Sequence, residues 1–343
     1  MKYKLLKLSI VPICLILLGF FVLYSFIFRD NIIDNPNHKN HEFFIPTGSN
    51  YDEVLKKLKD NNIILNINSF DFLSKKLKYD KLIKPGRYLI SNTMNNWELV
   101  HKLRSGDQTA VRLTINNITY LEDLISKVAN KLEFDSTALS NAISNDSFLV
   151  SHHLNKDNLI SFFISNTYEI WWNVSVQDFL SKMDSEHKKF WNSNRIEKAK
   201  QLNLSPEQVT TLASIIQKES NKKDEHQRIA GVYLNRLNKN WPLQADPTVK
   251  FALRKLDLKR ILTIHTQFDS PFNTYRNIGL PPGPICLPEI FAIDGVLNAE
   301  KHPYFFFCAK EDFSGYHNFA VTLSEHNANA AKYQQALNQR GIR

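Results

Sequence analysis

The sequence predicts an α+β protein with three parts: an N-terminal transmembrane helix, a small α/β module, and a larger mixed α+β domain. Three observations support this. Leu8 to Phe28 runs 21 residues without a charge, enough to cross a hydrocarbon core as a helix. Residues 43–115 alternate short apolar runs with turn residues and amphipathic stretches. From residue 116 onward, long segments of helical spacing enclose only a few strand-like runs. A chain of 343 residues accommodates two or three such domains.

Lys2, Lys4 and Lys7 precede the uncharged run, and Arg29-Asp30 follows it. The positive-inside bias keeps residues 1–7 cytoplasmic and sends everything after Arg29 outside. A cleaved signal peptide is the competing reading. The run is long for one, and no small-x-small cleavage site follows. The expected location is therefore the cytoplasmic (inner) membrane, single-pass, with the following domains on the outer, periplasmic face. Beyond residue 29 there are 39 basic and 34 acidic residues, a formal +5. That mild excess suits an anionic wall or membrane surface. No basic block of the kind that binds nucleic acid occurs. Cys286 and Cys308 are the only cysteines past the membrane run, too few for a disulfide framework, and they read as two free buried thiols.

Residues 29–42 read as a polar linker. Phe43-Phe44-Ile45 is a short strand, and Thr47-Gly48-Ser49 turns the chain. Ser49 or Asn50 caps a helix carrying Val54, Leu55 and Leu58. A second helix runs through Phe70, Leu73 and Leu77. Lys84-Pro85-Gly86 turns into a strand through Tyr88 and Ile90. Asn95-Asn96-Trp97 opens a helix that ends at Ser105-Gly106, and Ala110 to Ile115 is a strand. Residues 119–200 read as mostly helical, interrupted around 162–169. Ser205-Pro206-Glu207-Gln208 is an N-cap, a first-turn proline and a capping box. Asp224-Glu225-His226-Gln227 repeats that pattern before a helix through Ile229, Val232 and Leu237. Residues 241–288 are rich in Pro and Asn and read as irregular or short-stranded. Tyr304 to Ala309 reads as a buried strand. A C-terminal helix begins near Ser324.

The helix after Ser205 carries its apolar face at Val209, Leu212, Ala213 and Ile216, and Glu219 continues that stripe. A carboxylate emerging from an apolar stripe is hard to ionise, so its pKa rises. A carboxylic acid kept protonated near neutral pH is what general-acid cleavage of a glycosidic bond needs. The alternative is a helix-end glutamate that reaches solvent or pairs with Lys222 or Lys223.

Six motifs in order settle that choice. They are Leu212 to Glu219, Val232 to Leu237, Leu243 to Val249, Phe272 to Tyr275, Gly279 to Ile285, and His317-Asn318-Phe319 with Glu325-His326-Asn327. Together they resemble the endolytic lytic transglycosylases of bacterial cell walls, the MltG or YceG-like family. The resemblance implies a LysM-like module over 43–115, a catalytic domain over 116–343, and Glu219 as the single catalytic acid. It implies peptidoglycan glycan strands as substrate, 1,6-anhydro products, a role in limiting strand length, and peptidoglycan synthases as partners. The chain departs from the family pattern at three places. Asn116-Asn117 stands for Glu-Gly, Ser165-Asn166 for Pro-Asp, and Leu287-Pro288-Glu289 falls near an Asn-Pro-Gly.

Five further residues are candidates for substrate binding. Gln244 suits a sugar hydroxyl or an acetamido group. Asp246, before Pro247, either touches substrate or fixes a turn. Asn273 and Tyr275 offer polar contact and ring stacking. His317 is a substrate contact or a packed histidine. Gly283 reads as a site of close backbone approach. No HExxH or Cys-His spacing calls for a metal, and no cofactor is expected. Two rival readings remain at this level. One is a muramidase-type hydrolase with Asp246 or Asp224 as second carboxylate. The other is a non-catalytic wall-binding scaffold.

Overall fold

The structure is a computed structural model that describes residues 2–36, 39–258 and 260–341, with side chains from Pro12 onward. It divides into two compact units. The first holds residues 1–112, 131–134 and 169–174, and the second holds the rest.

The first unit begins with α1 (Lys2–Phe28). Its side chains from Ile13 to Tyr24 are mainly large, apolar and exposed. Among the described residues, no helix is long and apolar enough to cross a membrane. The predicted tail 1–7 and the first four residues of the predicted span 8–28 lie outside the described side chains. The stretch read as a linker is largely built into the unit. Asp30 bridges to Asn95 and Ile32 to Ile64, and the chain enters β1 (Asn40–Ile45). Asn37 and His38, in the same stretch, lie outside the described residues.

After β1 come α2 (Tyr51–Asp60), α3 (Ile67–Lys76), β2 (Gly86–Ser91) and α4 (Asn96–Ser105). Their origin is legible in the sequence. Asn50 and Asn95 each close a capping box with the glutamate three residues on, and each such cap contributes about 1 kcal/mol. Gly106 ends α4 at φ 76°, a left-handed angle glycine adopts without a Cβ penalty. β1 and β2 pair antiparallel, with Phe43 opposite Tyr88 and Ile45 opposite Gly86. Phe43, Ile45, Tyr88 and Ile90 point inward onto Val54, Leu58, Phe70, Leu99 and Leu103, all buried. Glu133, from a later segment of the same unit, accepts from the Thr47 amide and hydroxyl at 2.6 Å each. The main run of the first unit ends at residue 112, and two later segments, 131–134 and 169–174, rejoin it.

The second unit starts in β3 (Val111–Ile115), which pairs with β4 (Asn166–Ile170). Between them lie α5 (Leu121–Ala129), α6 (Ser136–Ile143) and α7 (Asp146–Ser151). Then follow α8 (Val176–Phe190), α9 (Ser193–Gln201) and α10 (Pro206–Glu219). α10 is the axis of this unit: every residue from Val209 to Ile216 is buried. A helix buried all round needs partners on every side. These are α11 (His226–Asn238), α12 (Asp246–Ala252) and, beyond the short α13 (Thr263–Thr266), α14 (Ile290–Leu297). The unit closes with the antiparallel pair β5 (Phe306–Ala309) and β6 (His317–Ala320), and with α15 (Leu323–Gln339).

Gly283 lies so close to the Asp157 carbonyl that a Cβ would sit 1.9 Å from its oxygen, the close approach expected there. Cys286 is buried, Cys308 is half-buried, and both are free. Burial pushes the Cys286 thiol up to about 12.

Three expectations need correction. α12 and α14 are helices where none was predicted. The Asp224–Gln227 capping box does not form: a 3-10 turn at Lys223–Glu225 leads into α11, which has no side-chain cap. The aromatic run before Ala309 is not a fully buried strand, because only Phe306 of β5 is buried.

Candidate active site

Glu219 is the last residue of α10. The capping box at Ser205 fixes where this helix starts, and the buried run Val209–Ile216 anchors it up to the last turn, which carries Glu219. Its end faces a cavity of about 400 Å³ lined by Tyr233, Arg236, Gln244, Asp246, Tyr275 and His317, together with Phe306, Phe307 and His326. Five predicted site residues, Glu219, Gln244, Asp246, Tyr275 and His317, are therefore brought to one place.

Glu219 keeps part of its surface open to the cavity, yet its carboxyl is closely surrounded by protein atoms. The Tyr233 hydroxyl donates to Oε1 at 2.6 Å. Burial raises the Glu219 pKa to about 7, and the nearby negative charge of Asp246 adds to the rise. The Tyr233 hydrogen bond and the positive charges of Arg236 and Lys250 oppose it. The helix adds its own push, because a C-terminus carries partial negative charge. Desolvation wins, so the carboxyl is substantially protonated at neutral pH.

Tyr233 and Arg236 lie three apart on α11, and so on one face. Burial, then the adjacent Glu219, pushes the Tyr233 hydroxyl well above its ordinary value, so it stays a donor. Arg236 donates from Nε to the Phe305 carbonyl at 2.7 Å and from Nη1 to the Leu243 carbonyl at 2.5 Å. It therefore ties the approach to β5 to the approach to α12 and places a positive charge beside the cavity.

Asp246 opens α12, where a carboxylate complements the helix dipole. Its Oδ1 accepts from the Tyr275 hydroxyl at 2.5 Å. Gln244 is exposed in the cavity wall, held at φ 50° with its amide on the Thr274 carbonyl at 3.0 Å. His317 is fixed twice by Glu225: its amide donates to Oε1 at 2.9 Å, and Nδ1 lies 2.8 Å from Oε2. That leaves Nε2 as the ring nitrogen available to the cavity.

Asn273 does not join the group. It is fully buried, its side-chain amide donates to the Thr266 and Phe268 carbonyls, and its Oδ1 accepts from the Tyr275 amide. The substrate contact expected of it is corrected to the shaping of the loop that presents Tyr275. Asp224, one proposed second carboxylate, accepts from the Tyr316 hydroxyl and does not line the cavity. Tyr233, Arg236 and Glu225 were missed as functional residues. Tyr233 and Arg236 lay inside a quoted motif, and their spacing on one helical face was the available signal. For Glu225 the signal was misread as part of a helix cap. Among the described residues no cluster of His, Cys, Asp or Glu is placed to hold a metal ion.

Residues 43–332 match the sequence profile of the YceG-like family. The chain belongs to that family. A YceG-like relative from Bacillus subtilis strain 168, named endolytic murein transglycosylase, is 28% identical over 314 residues, covering 86% of this chain and 85% of its own. A protein of the same name from Streptococcus pneumoniae strain D39 is 27% identical over 336 residues, covering 88% of this chain and 60% of its own. A crystal structure of a yceG-like protein from Listeria monocytogenes superposes with a TM-score of 0.54 at 29% identity, over 84% of this chain and 98% of that one.

The departures from the YceG-like pattern have local explanations. Asn117 sits at φ 52°, a left-handed position where asparagine is the best substitute for glycine. Ser165 and Glu289, from two separate departures, meet: the serine hydroxyl donates to Glu289 Oε2 at 2.8 Å. Neither lies in the wall of the Glu219 cavity.

Proposed function

We propose that this chain is an endolytic murein transglycosylase, a lyase that cuts the MurNAc–GlcNAc bonds of peptidoglycan strands internally, with Glu219 as its proton shuttle. One observation carries the assignment of the residue. An enclosed carboxyl with its pKa raised to about 7 faces a polar groove, held through one oxygen by Tyr233. Membership of the family and the names of its relatives support the reaction class.

Glu219 donates its proton to the glycosidic oxygen as the bond to C1 of the muramic residue breaks. The C6 hydroxyl of that residue attacks C1 and gives its proton to the Glu219 carboxylate, which restores the acid. The product carries a 1,6-anhydro end, and no water is consumed. The nucleophile is already part of the substrate, so its effective concentration is high, and one carboxylate suffices. Tyr275, Gln244 and His317 line the path of the strand. Asp246 tunes the acid through its charge.

A muramidase-type hydrolysis is the second reading, because Asp246 shares the cavity with Glu219. The engagement of its Oδ1 by Tyr275 favours the electrostatic role. The same reading places α1 in the cytoplasmic membrane with both units outside. It makes the strand–helix–helix–strand part of the first unit a LysM-like glycan contact, and it brings the enzyme close to peptidoglycan synthases. Purified full chain, given polymeric peptidoglycan, should release fragments with 1,6-anhydromuramyl ends, read by mass spectrometry. Reducing muramyl ends would assign the hydrolase instead, and no cleavage at all would leave the scaffold reading.

A further inference from the structure

Just past α1, buried polar contacts tie the chain into the rest of the first unit. Asn31, buried just past the helix, donates to the Asn66 carbonyl, Ser69 Oγ and Asn96 Oδ1 at 2.7–3.2 Å, and accepts the Asn66 amide at 2.8 Å. Its backbone takes part as well: its amide donates to the Met94 carbonyl, and its carbonyl accepts from Leu65. Asn96 reaches back to the Phe26 carbonyl at 2.8 Å, and Ile27 packs on the unit's core. Helix and unit are thus joined by a buried, satisfied polar network, the arrangement that specifies one geometry.

Around this junction the surface is aromatic. Tyr24 is 63% exposed, Phe28 42%, and Trp97 and Phe72 40% each. The rings touch in series: Tyr24 to Phe28 with centroids 5.0 Å apart, Phe28 to Trp97 at 5.9 Å, and Trp97 to His101 at 4.3 Å. On the other side of the last turn Phe26 meets Phe72 at 6.3 Å, and the Lys76 ammonium lies 5.7 Å from the Phe72 ring centre. Water is a poor solvent for such a collar, and the interior of the first unit does not cover it. It continues directly from the exposed apolar side chains of Ile13 to Tyr24.

We propose that Tyr24, Phe28, Trp97 and Phe72 form an interfacial collar that seats the first unit in the headgroup layer of a lipid bilayer, with α1 fixed to the unit and not merely tethering it. The inference rests on the reading of α1 as a membrane anchor. Tyr and Trp rings favour this layer because they present an apolar body and a polar edge. A lysine beside them buries its methylenes and keeps its charge in water. The consequence is orientation: the junction sets which face of the first unit points away from the membrane, at a fixed height.

The test uses the full chain labelled with 5-fluorotryptophan in phosphatidylethanolamine/phosphatidylglycerol nanodiscs. Trp97→Phe identifies the Trp97 fluorine signal by its loss, and the four remaining signals report that the fold is intact. Headgroup-proximal doxyl lipid should broaden the Trp97 signal several-fold more than that of Trp171, a 50% exposed residue of the same unit whose signal Trp171→Phe identifies. A soluble gadolinium chelate should broaden it less than that of Trp171. A chain that does not enter the discs overturns the anchor reading, and the collar with it. A chain that enters, but whose Trp97 responds to gadolinium alone or to neither probe, overturns the collar only: solvent or another protein surface then covers the rings. A six-residue Gly-Ser insert after Arg29 should reduce the lipid broadening. Unchanged broadening would overturn the fixed junction.

Discussion

Two buried polar clusters in this molecule are built on opposite plans. In the first unit, Asn31, Asn66, Ser69 and Asn96 satisfy one another, and each donor of the Asn31 side-chain amide finds an acceptor. At the end of α10, Glu219 is enclosed, but among the described residues one hydroxyl, that of Tyr233, reaches one of its oxygens. The first plan fixes geometry and leaves nothing to react. The second leaves a carboxyl short of the hydrogen bonds that would favour its charge, so the proton stays on and can be given away. Closed networks hold position, and open ones hold chemistry.

The largest expected effect that sharpens this contrast is at Glu219. Glu219→Gln keeps the shape and cannot transfer the proton. General acid–base groups contribute about 10²–10⁴-fold, so turnover on polymeric peptidoglycan should fall at least that far. The same variant should be more stable than wild type at alkaline pH. A carboxyl raised from 4.5 to about 7 contributes stability fully present below pH 4.5, which is lost as pH rises through 7. Glutamine removes that dependence, so its gain in Tm should appear at pH 8 and vanish at pH 4.

Tyr233→Phe comes next. It removes a hydrogen bond that lowers the Glu219 pKa, so the high-pH limb of the rate profile should move upward. Turnover at neutral pH should fall by about tenfold, the equivalent of about 1.4 kcal/mol. A fall in rate with an unmoved limb would mean that Tyr233 only packs.

Asn31→Ala probes the closed cluster. Leaving its buried partners unsatisfied should destabilise the first unit by about 1–3 kcal/mol, seen in denaturant melts, while the pH profile of cleavage stays put. A moved profile would break the separation of roles drawn here. Asp246→Asn should have the smallest effect on rate. It removes a negative charge that raises the Glu219 pKa, so the limb should move down, with turnover lowered less than in Glu219→Gln. An equal loss would favour the two-carboxylate hydrolase.

Much of this arrangement was legible in the residues. The helix of Glu219 was readable because its start is marked by a capping box and its buried face by regular spacing. The first unit was readable for the same reasons, through Asn50, Asn95 and Gly106. α12 escaped because seven residues in a Pro- and Asn-rich stretch carry little periodicity; tertiary contact with α10 holds them. α14 escaped because Ile290-Phe291-Ala292-Ile293 is apolar without a polar face, as a helix packed on several sides must be. The polar partners of the site were harder still. Tyr233 and Glu225 matter through contacts with residues 14 and 92 positions away, and no local pattern reports those. Asn273 carried the motif's polarity but spends it inside its own loop.

The most direct test of the central claim is the protonation state of Glu219 itself. Full chain labelled with ¹³C at the glutamate side-chain carboxyls can be titrated by NMR, with Glu219→Gln assigning the signal by its loss. One carboxyl should titrate with a midpoint near 7, and that midpoint should fall in Asp246→Asn. If the Glu219 signal titrates near 4.5 with the exposed glutamates, the enclosed acid does not exist and the account fails.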